Sequence, residues 1–225
     1  MGTLKNLVGN GNKFQQGNIG WSYINVRRHS GYRYWSALAD LADNCIDANA
    51  DNITIKLFHE GNAKKGLSEI IDDGHGMDYT TLEGSFSLGY TRQRSNNQLG
   101  KFGVGGTEGS WSIASKKITL TREPCSNKIL CREYDLSVCQ KEDSWGSTSR
   151  PATRDEKKMF YEELGNSSGT YIILKQLDLI TCKDRPKVKN TIVKRFAEYF
   201  CEHIISGINF SVDGVKVEPV DPLLW

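Results

Sequence analysis

Residues 40–48 read Asp40-Leu41-Ala42-Asp43-Asn44-Cys45-Ile46-Asp47-Ala48. With the residues before them, Leu38, Leu41, Ala42, Cys45 and Ala48 recur at helical spacing and gather on one side of a wheel, which predicts an amphipathic helix from Tyr34 to about Ala50. Opposite that stripe stand Asp40, Asn44 and Asp47 at i, i+4 and i+7, so an acid, an amide and a second acid form one column. Taken alone, such a column equally describes a solvated helix face.

Outward from the helix, Ile53-Thr54-Ile55-Lys56-Leu57-Phe58 alternates as a strand, residues 61–66 read as a turn, and strand character resumes over 67–71. That second strand runs into Asp72-Asp73-Gly74-His75-Gly76-Met77. An acid directly after two isoleucines is partly shielded and calls for a donor partner such as an amino group, while Gly74 and Gly76 let the backbone turn close to a ligand. A plain turn has the same composition. Further on, Leu99-Gly100-Lys101-Phe102-Gly103-Val104-Gly105-Gly106 concentrates glycines whose N–H groups can converge on an anion beside the Lys101 charge. Phe102 stands where a P-loop places Ser or Thr, and the glycines do not fit G-x-G-x-x-G, so any phosphate is bound in another way.

Lys+Arg total 29 against 27 Asp+Glu, a net charge of +2, so no global field draws this 225-residue chain onto nucleic acid or an anionic membrane. The Arg27-Arg28-His29 cluster is a thin warrant for nucleic-acid contact. Hydrophobic residues make up 38% and aromatics 10%, enough to exclude wholesale disorder. No apolar run reaches membrane-spanning length and the start lacks a secretory signal's apolar core. The six cysteines and four histidines show neither C-x-x-C nor H-x-x-x-H spacing, which leaves zinc without support and favours reduced thiols in a cytoplasmic protein.

The rest of the chain reads as an irregular arm over residues 1–30 with an extended piece at Trp21–Val26, and a long polar loop over 78–110. Strands follow at 117–121, 130–138 and 170–174, a polar insertion at about 140–168, a long helix over 188–206 and a hairpin over 208–217 turning at Asp213-Gly214. Strands and helices mix without regular β-α-β alternation, which favours an α+β sandwich over a doubly wound sheet.

In order and spacing, Asp40 to Ala48, Asp72 to Met77, Gly100 to Gly105 and Gly169-Thr170 resemble the GHKL ATPases, the superfamily of gyrase, histidine kinases, MutL and the ninety-kilodalton heat-shock chaperones. Gly89-Tyr90-Thr91-Arg92 and the ending Val212 to Leu223 look most like the MORC-type and chaperone-like branches. The resemblance implies a Bergerat fold, a two-layer α/β sandwich whose mixed, mostly antiparallel sheet is covered by helices and carries a glycine-rich ATP lid. It implies ATP and Mg²⁺ as cofactors. Asn44 would be the metal ligand, Asp72 would accept the adenine amino group with Gly74, Gly76, Met77 and Thr170 about it, and Asp47 would border the site. Gly100, Lys101, Phe102, Gly103, Val104 and Gly105 would form the lid over the γ-phosphate. It further implies ATP or ADP as ligand, an ATP-dependent homodimer, an arm over 1–30, an ATP-binding domain over 31–225 cut short before a transducer domain, and a client protein or nucleic acid engaged through domains downstream. The family's general base is a glutamate four residues before the asparagine; here Asp40 stands there. A side chain one methylene shorter sets the carboxylate back by about 1 Å, and misplacement of that size costs on the order of a hundredfold in rate. The expectation is a slow ATPase with Asp40 as base, or else a nucleotide-sensing module that never splits ATP.

Overall fold

The computed structural model describes residues 13–16, 19–29, 31–57, 66–87, 105–182 and 184–221, the first four as backbone only. In chain order these form β1 (Lys13–Gln16), α1 (Trp21–Arg28), α2 (Tyr34–Asp47), β2 (Asn52–Leu57), β3 (Leu67–Asp72), α3 (Tyr79–Gly84), α4 (Gly105–Trp111), β4 (Lys116–Arg122) and β5 (Leu130–Asp135). There follow α5 (Leu136–Lys141), β6 (Gly146–Pro151), α6 (Arg154–Leu164), β7 (Gly169–Lys175), α7 (Arg185–Tyr199), α8 (Cys201–Ile205), β8 (Asn209–Val212) and β9 (Val215–Lys216).

The strands make one sheet in the order β1-β6-β5-β4-β7-β3-β2-β8-β9. β2 and β8 run parallel; the other pairings are antiparallel. This is the α+β architecture expected from the sequence. Because side chains alternate across a strand, the registers Asp72↔Thr170 and Thr121↔Thr170 put Asp72, Thr170 and Thr121 on one face, together with Ile70, Ile172, Thr119 and Lys117. The apolar stripe of α2, with Leu38, Leu41, Ala42 and Cys45 all buried, packs on that face beside Ile192, Phe196 and Phe200 from α7 and α8's start. The other face is partly covered too: Phe160 of α6 is fully buried against Ile71, Ile118, Leu120 and Tyr171.

Several elements differ from the sequence expectation. Trp21–Val26 is helical, not extended; Arg27 and Arg28 at its end bind Glu108 and Asp178, a tertiary anchorage that local alternation does not reveal. β1, inside the supposed irregular arm, pairs with β6. The 78–110 loop contains α3, capped by Asp78 accepting from the Thr81 N–H at 2.6 Å, and α4. The strand expected over 130–138 stops at Asp135, whose carboxylate takes the Ser137 N–H and starts α5. The insertion at 140–168 folds as β6 and α6, the latter opened by a reciprocal Thr153–Glu156 capping box. The helix over 188–206 breaks at Phe200 into α7 and α8. The last hairpin does turn at Asp213-Gly214, both at positive φ (48° and 74°).

Candidate functional site

The end of α2 and the segment after β3 are fastened to each other by backbone groups. The Asp73 carboxylate accepts the N–H groups of Asp51 and Asn52 at 2.9 and 2.8 Å, and His75 donates its N–H to the Ala48 carbonyl at 3.0 Å. Gly74 sits against that helix end, where a Cβ would lie 2.7 Å from the Ala48 carbonyl oxygen. Gly76 has φ +64°, and a Cβ there would come within 2.1 Å of the Arg122 carbonyl. These two glycines therefore let the loop lie against protein backbone on both sides of Asp72.

Asp72 itself is 3% exposed. Its Oδ1 accepts the Gly74 N–H at 3.0 Å, and the Thr170 backbone and the Cys45 thiol of α2, which itself donates to the Leu41 carbonyl at 3.3 Å, lie near enough to favour its ionised form. Burial outweighs these donors and raises its pKa to about 6. Thr170 stands directly across the ladder from Asp72, with its hydroxyl 3.3 Å from that of Thr121. Thr121 in turn takes the Met77 N–H at 2.9 Å. A shielded carboxylate ringed by a thiol, two hydroxyls and glycines can accept from the amine of a flat heterocycle.

Cys45 adjoins Asn44, so the helix turn that touches Asp72 also carries the amide. Asn44 is exposed and donates its Nδ2 to the Asp40 carbonyl at 2.9 Å, which leaves Oδ1 as its available end. A neutral amide oxygen suits a hard divalent cation. Among the described residues no group of three or more His, Cys, Asp or Glu side chains could hold a metal, so a cation here would take most of its ligands from phosphate and water. The donor set fits Mg·ATP on these terms.

Asp40 is half-buried, accepts a hydrogen bond from Tyr32, and has its pKa raised by burial. Burial and this acid push the Tyr32 phenol up to about 12. Asp40 Oδ2 is buried without a partner among the described residues, 3.2 Å from where a Cβ on Gly109 of α4 would stand. Asp43 Oδ1 is likewise without one, and burial, then Asp40 and Asp47, raise the Asp43 pKa to about 7. Asp47 is half-buried at the end of α2. Gly100, Lys101, Phe102, Gly103 and Val104 lie outside the described residues, and Gly105 begins α4.

Sequence reading missed Cys45 as a polar contact, and also Tyr32, Thr121 and Glu108. Thr121 was marked only by strand alternation. Glu108, 2% exposed, is held by Arg27 and by the Tyr23 hydroxyl at 3.1 Å, so the Arg27-Arg28 pair serves to dock α1 on α4 and β7's end. A cleft on the α6 side has Thr54, Ile71, Asp72, Asp73, Glu163 and Leu164 in its lining; Glu163 pairs with Lys56 at 2.5 Å and Asp73 accepts from the α2–β2 turn, while Asp72 is the buried acid described above.

A mostly antiparallel sheet with α2 laid across it, an acid at the end of β3 and an amide on the helix above define a nucleotide-binding α+β domain. Residues 32–170 match the family described as histidine kinase-, DNA gyrase B-, and HSP90-like ATPase, and the chain belongs to that family. It is 25% identical to Protein MICRORCHIDIA 3 of Arabidopsis thaliana over 154 residues, which cover 67% of this chain and 22% of that protein. It is 31% identical to Protein MICRORCHIDIA 2 of the same plant over 91 residues, covering 39% of this chain and 14% of the relative. Protein MICRORCHIDIA 1 is 26% identical over 97 residues, 42% of this chain and 15% of the relative. The chain thus matches about a fifth or less of the length of these relatives. No helix among the described residues is long and apolar enough to cross a membrane.

Proposed function

We propose that this chain binds Mg·ATP in the space between α2 and the sheet, hydrolyses it slowly, and couples nucleotide to lid closure and dimerisation. The observation that supports the proposal is the packing of α2, which carries Asn44 and the column of acids, on the face of the sheet that holds the buried acid Asp72. Asp72 and Thr170 orient the adenine by its amine. Asn44 offers Oδ1 to the metal, which neutralises phosphate charge when bound. Asp40 receives the proton of the attacking water, a role its raised pKa suits. Gly100 to Gly105 close over the γ-phosphate, and the client, protein or nucleic acid, is engaged elsewhere in a longer cytoplasmic protein.

A non-hydrolysing nucleotide sensor is the second reading, favoured by one feature: the Asp40 carboxylate is occupied by Tyr32 and packed under Gly109. Phosphate release under saturating Mg·ATP separates the two. The hydrolytic reading expects a slow rate that Asp40→Asn abolishes while calorimetry shows ATP still bound; equal release by both proteins removes Asp40 from the chemistry, and no binding by either removes nucleotide altogether.

A further inference from the structure

The acid assigned above as the base is covered by α4, and the cover is built on a glycine. A Cβ on Gly109 would stand 3.2 Å from Asp40 Oδ2, 3.5 Å from the Ala37 Cα and 3.6 Å from the Ala37 carbonyl oxygen, so the backbones of α4 and α2 meet here, beside the carboxylate. Asp40 Oδ2 is buried at this point without a hydrogen-bond partner among the described residues. The position of that oxygen is therefore set by packing against α4.

α4 has seven residues, too few to keep a helix in place without outside contacts. Two consecutive arginines of α1 grip it. Arg27 ion-pairs with Glu108, the 2% exposed residue that precedes Gly109, and the Tyr23 hydroxyl, one turn earlier on α1, donates to the same carboxylate at 3.1 Å. Arg28 donates Nε to the carbonyl of Trp111, the last residue of α4, at 2.9 Å, and pairs with Asp178 at 2.6 Å. Between them the buried Ile24 packs in the apolar cluster that holds Trp111. A carboxylate as deep as that of Glu108 is tolerated only with its donors in place. Arg27 and Tyr23 thus fix Glu108, and Glu108 fixes the backbone of Gly109.

We propose that Arg27, Glu108 and Gly109 are positioning residues for ATP hydrolysis: the α1 clamp on Glu108 sets how closely Gly109 covers Asp40, and so where that carboxylate stands relative to the attacking water. The inference rests on the hydrolytic reading above, and it adds residues of α1 and α4 that lie outside the motifs. Clamped, α4 opposes a longer side chain at position 40; released, it gives way to one.

The test is phosphate release under Mg·ATP, with calorimetric ATP affinity and melting temperature, for the 225-residue chain and for Gly109→Ala, Arg27→Met, Arg27→Lys, Asp40→Asn, Asp40→Glu and Arg27→Met combined with Asp40→Glu. A methyl on Gly109 has to push its neighbour by a few tenths of an ångström. Since about 1 Å of misplacement costs on the order of a hundredfold, Gly109→Ala is expected to lower kcat by about three- to tenfold while ATP affinity stays within about twofold of the parent. Arg27→Met should lower kcat by about tenfold at the same affinity, with Arg27→Lys restoring part of the loss. In the Asp40→Glu background, Arg27→Met should instead raise the rate. A merely structural role cannot produce that reversal: a fall in both backgrounds, or a loss of affinity tied to a lowered melting temperature, would overturn the proposal. Should Arg27→Met fail to fold, Gly109→Ala decides, and parental kcat in that variant overturns it. Parental kcat in both Gly109→Ala and Arg27→Met, with release still abolished in Asp40→Asn, would defeat this inference and leave Asp40 as the base. ATP bound by the parent without any phosphate released would end the hydrolytic reading and this inference with it.

Discussion

Asp72→Asn separates the cost of burying the carboxylate from its use. In the folded chain the Asp72 pKa is about 6 against an ordinary 3.8, because burial outweighs the Gly74 N–H, the Cys45 thiol and the Thr170 N–H. At ~1.4 kcal/mol for each tenfold in proton affinity, keeping this group ionised costs the fold about 3 kcal/mol. The sign follows from proton counting. The native state holds the proton more tightly than the unfolded chain, so this group's favourable contribution is complete below pH ~3.8 and is lost as pH rises through ~6. Asparagine does not titrate, and its amide cannot accept from every donor that faces it, which costs a pH-independent ~1 to 3 kcal/mol. Relative to wild type, the variant should therefore gain about 2.5 kcal/mol between pH 4 and pH 8, whatever its absolute stability. Urea unfolding of both proteins across that range measures the gap, and subtraction cancels the groups they share, Asp43 included. A gap that stays constant within ~0.5 kcal/mol would refute the claim that Asp72 is held ionised against desolvation.

Two other changes probe the same neighbourhood. Gly76→Ala should cost ~3 kcal/mol or more, read as a lowered melting temperature, since the residue has φ +64° and the new Cβ would meet the Arg122 carbonyl at 2.1 Å. Asp43→Asn should stabilise the ligand-free chain above pH 7 and not below pH 4, because Asp43 has its pKa raised to about 7 by burial and by Asp40 and Asp47. Partial solvent screening brings the size down to ~1 to 2 kcal/mol, and equal thermal stability of variant and parent at pH 8 would contradict it.

The parts of the fold legible in the sequence are those whose signal is local and periodic. α2 declared itself because the stripe through Leu38, Leu41, Ala42 and Cys45 is buried as a unit, β2 because its buried residues alternate, and β3, β4 and β7 because short runs rich in β-branched and apolar residues are buried almost throughout. α1 was illegible for the opposite reason: of Trp21-Ser22-Tyr23-Ile24-Asn25-Val26, only Ile24 is buried, and the helix is held by Arg27 on Glu108 and Arg28 on Asp178, partners 81 and 150 residues away. α6 could have been found, since Thr153-x-x-Glu156 before an apolar-spaced run is a helix-start signature. In the site, Asp72 and the two glycines were readable because an acid after a buried strand and a glycine at positive φ have few alternatives. Thr121 was not, because an alternating Lys-Ile-Thr-Leu-Thr strand gives no sign that this hydroxyl stands beside Thr170 until the register is known.

The same long-range packing changes what the shorter acid on α2 means. From sequence, aspartate at position 40 looks like a glutamate that has lost a methylene and with it about 1 Å of reach. In the fold, its Oδ2 lies 3.2 Å from where a side chain on Gly109 would begin, and Tyr32 bonds the same carboxyl. A longer side chain would have to displace α4, whose Glu108 is fixed to α1 by Arg27 and Tyr23. The length of residue 40 and the seat of α4 are thus one geometric choice. α4 starts at Gly105, directly after the glycine-rich segment, and covers Asp40 with Gly109. The reach of the acid is then a property of how α1, α2 and α4 are docked, and the arm helix, which the motifs leave out, is one of its determinants.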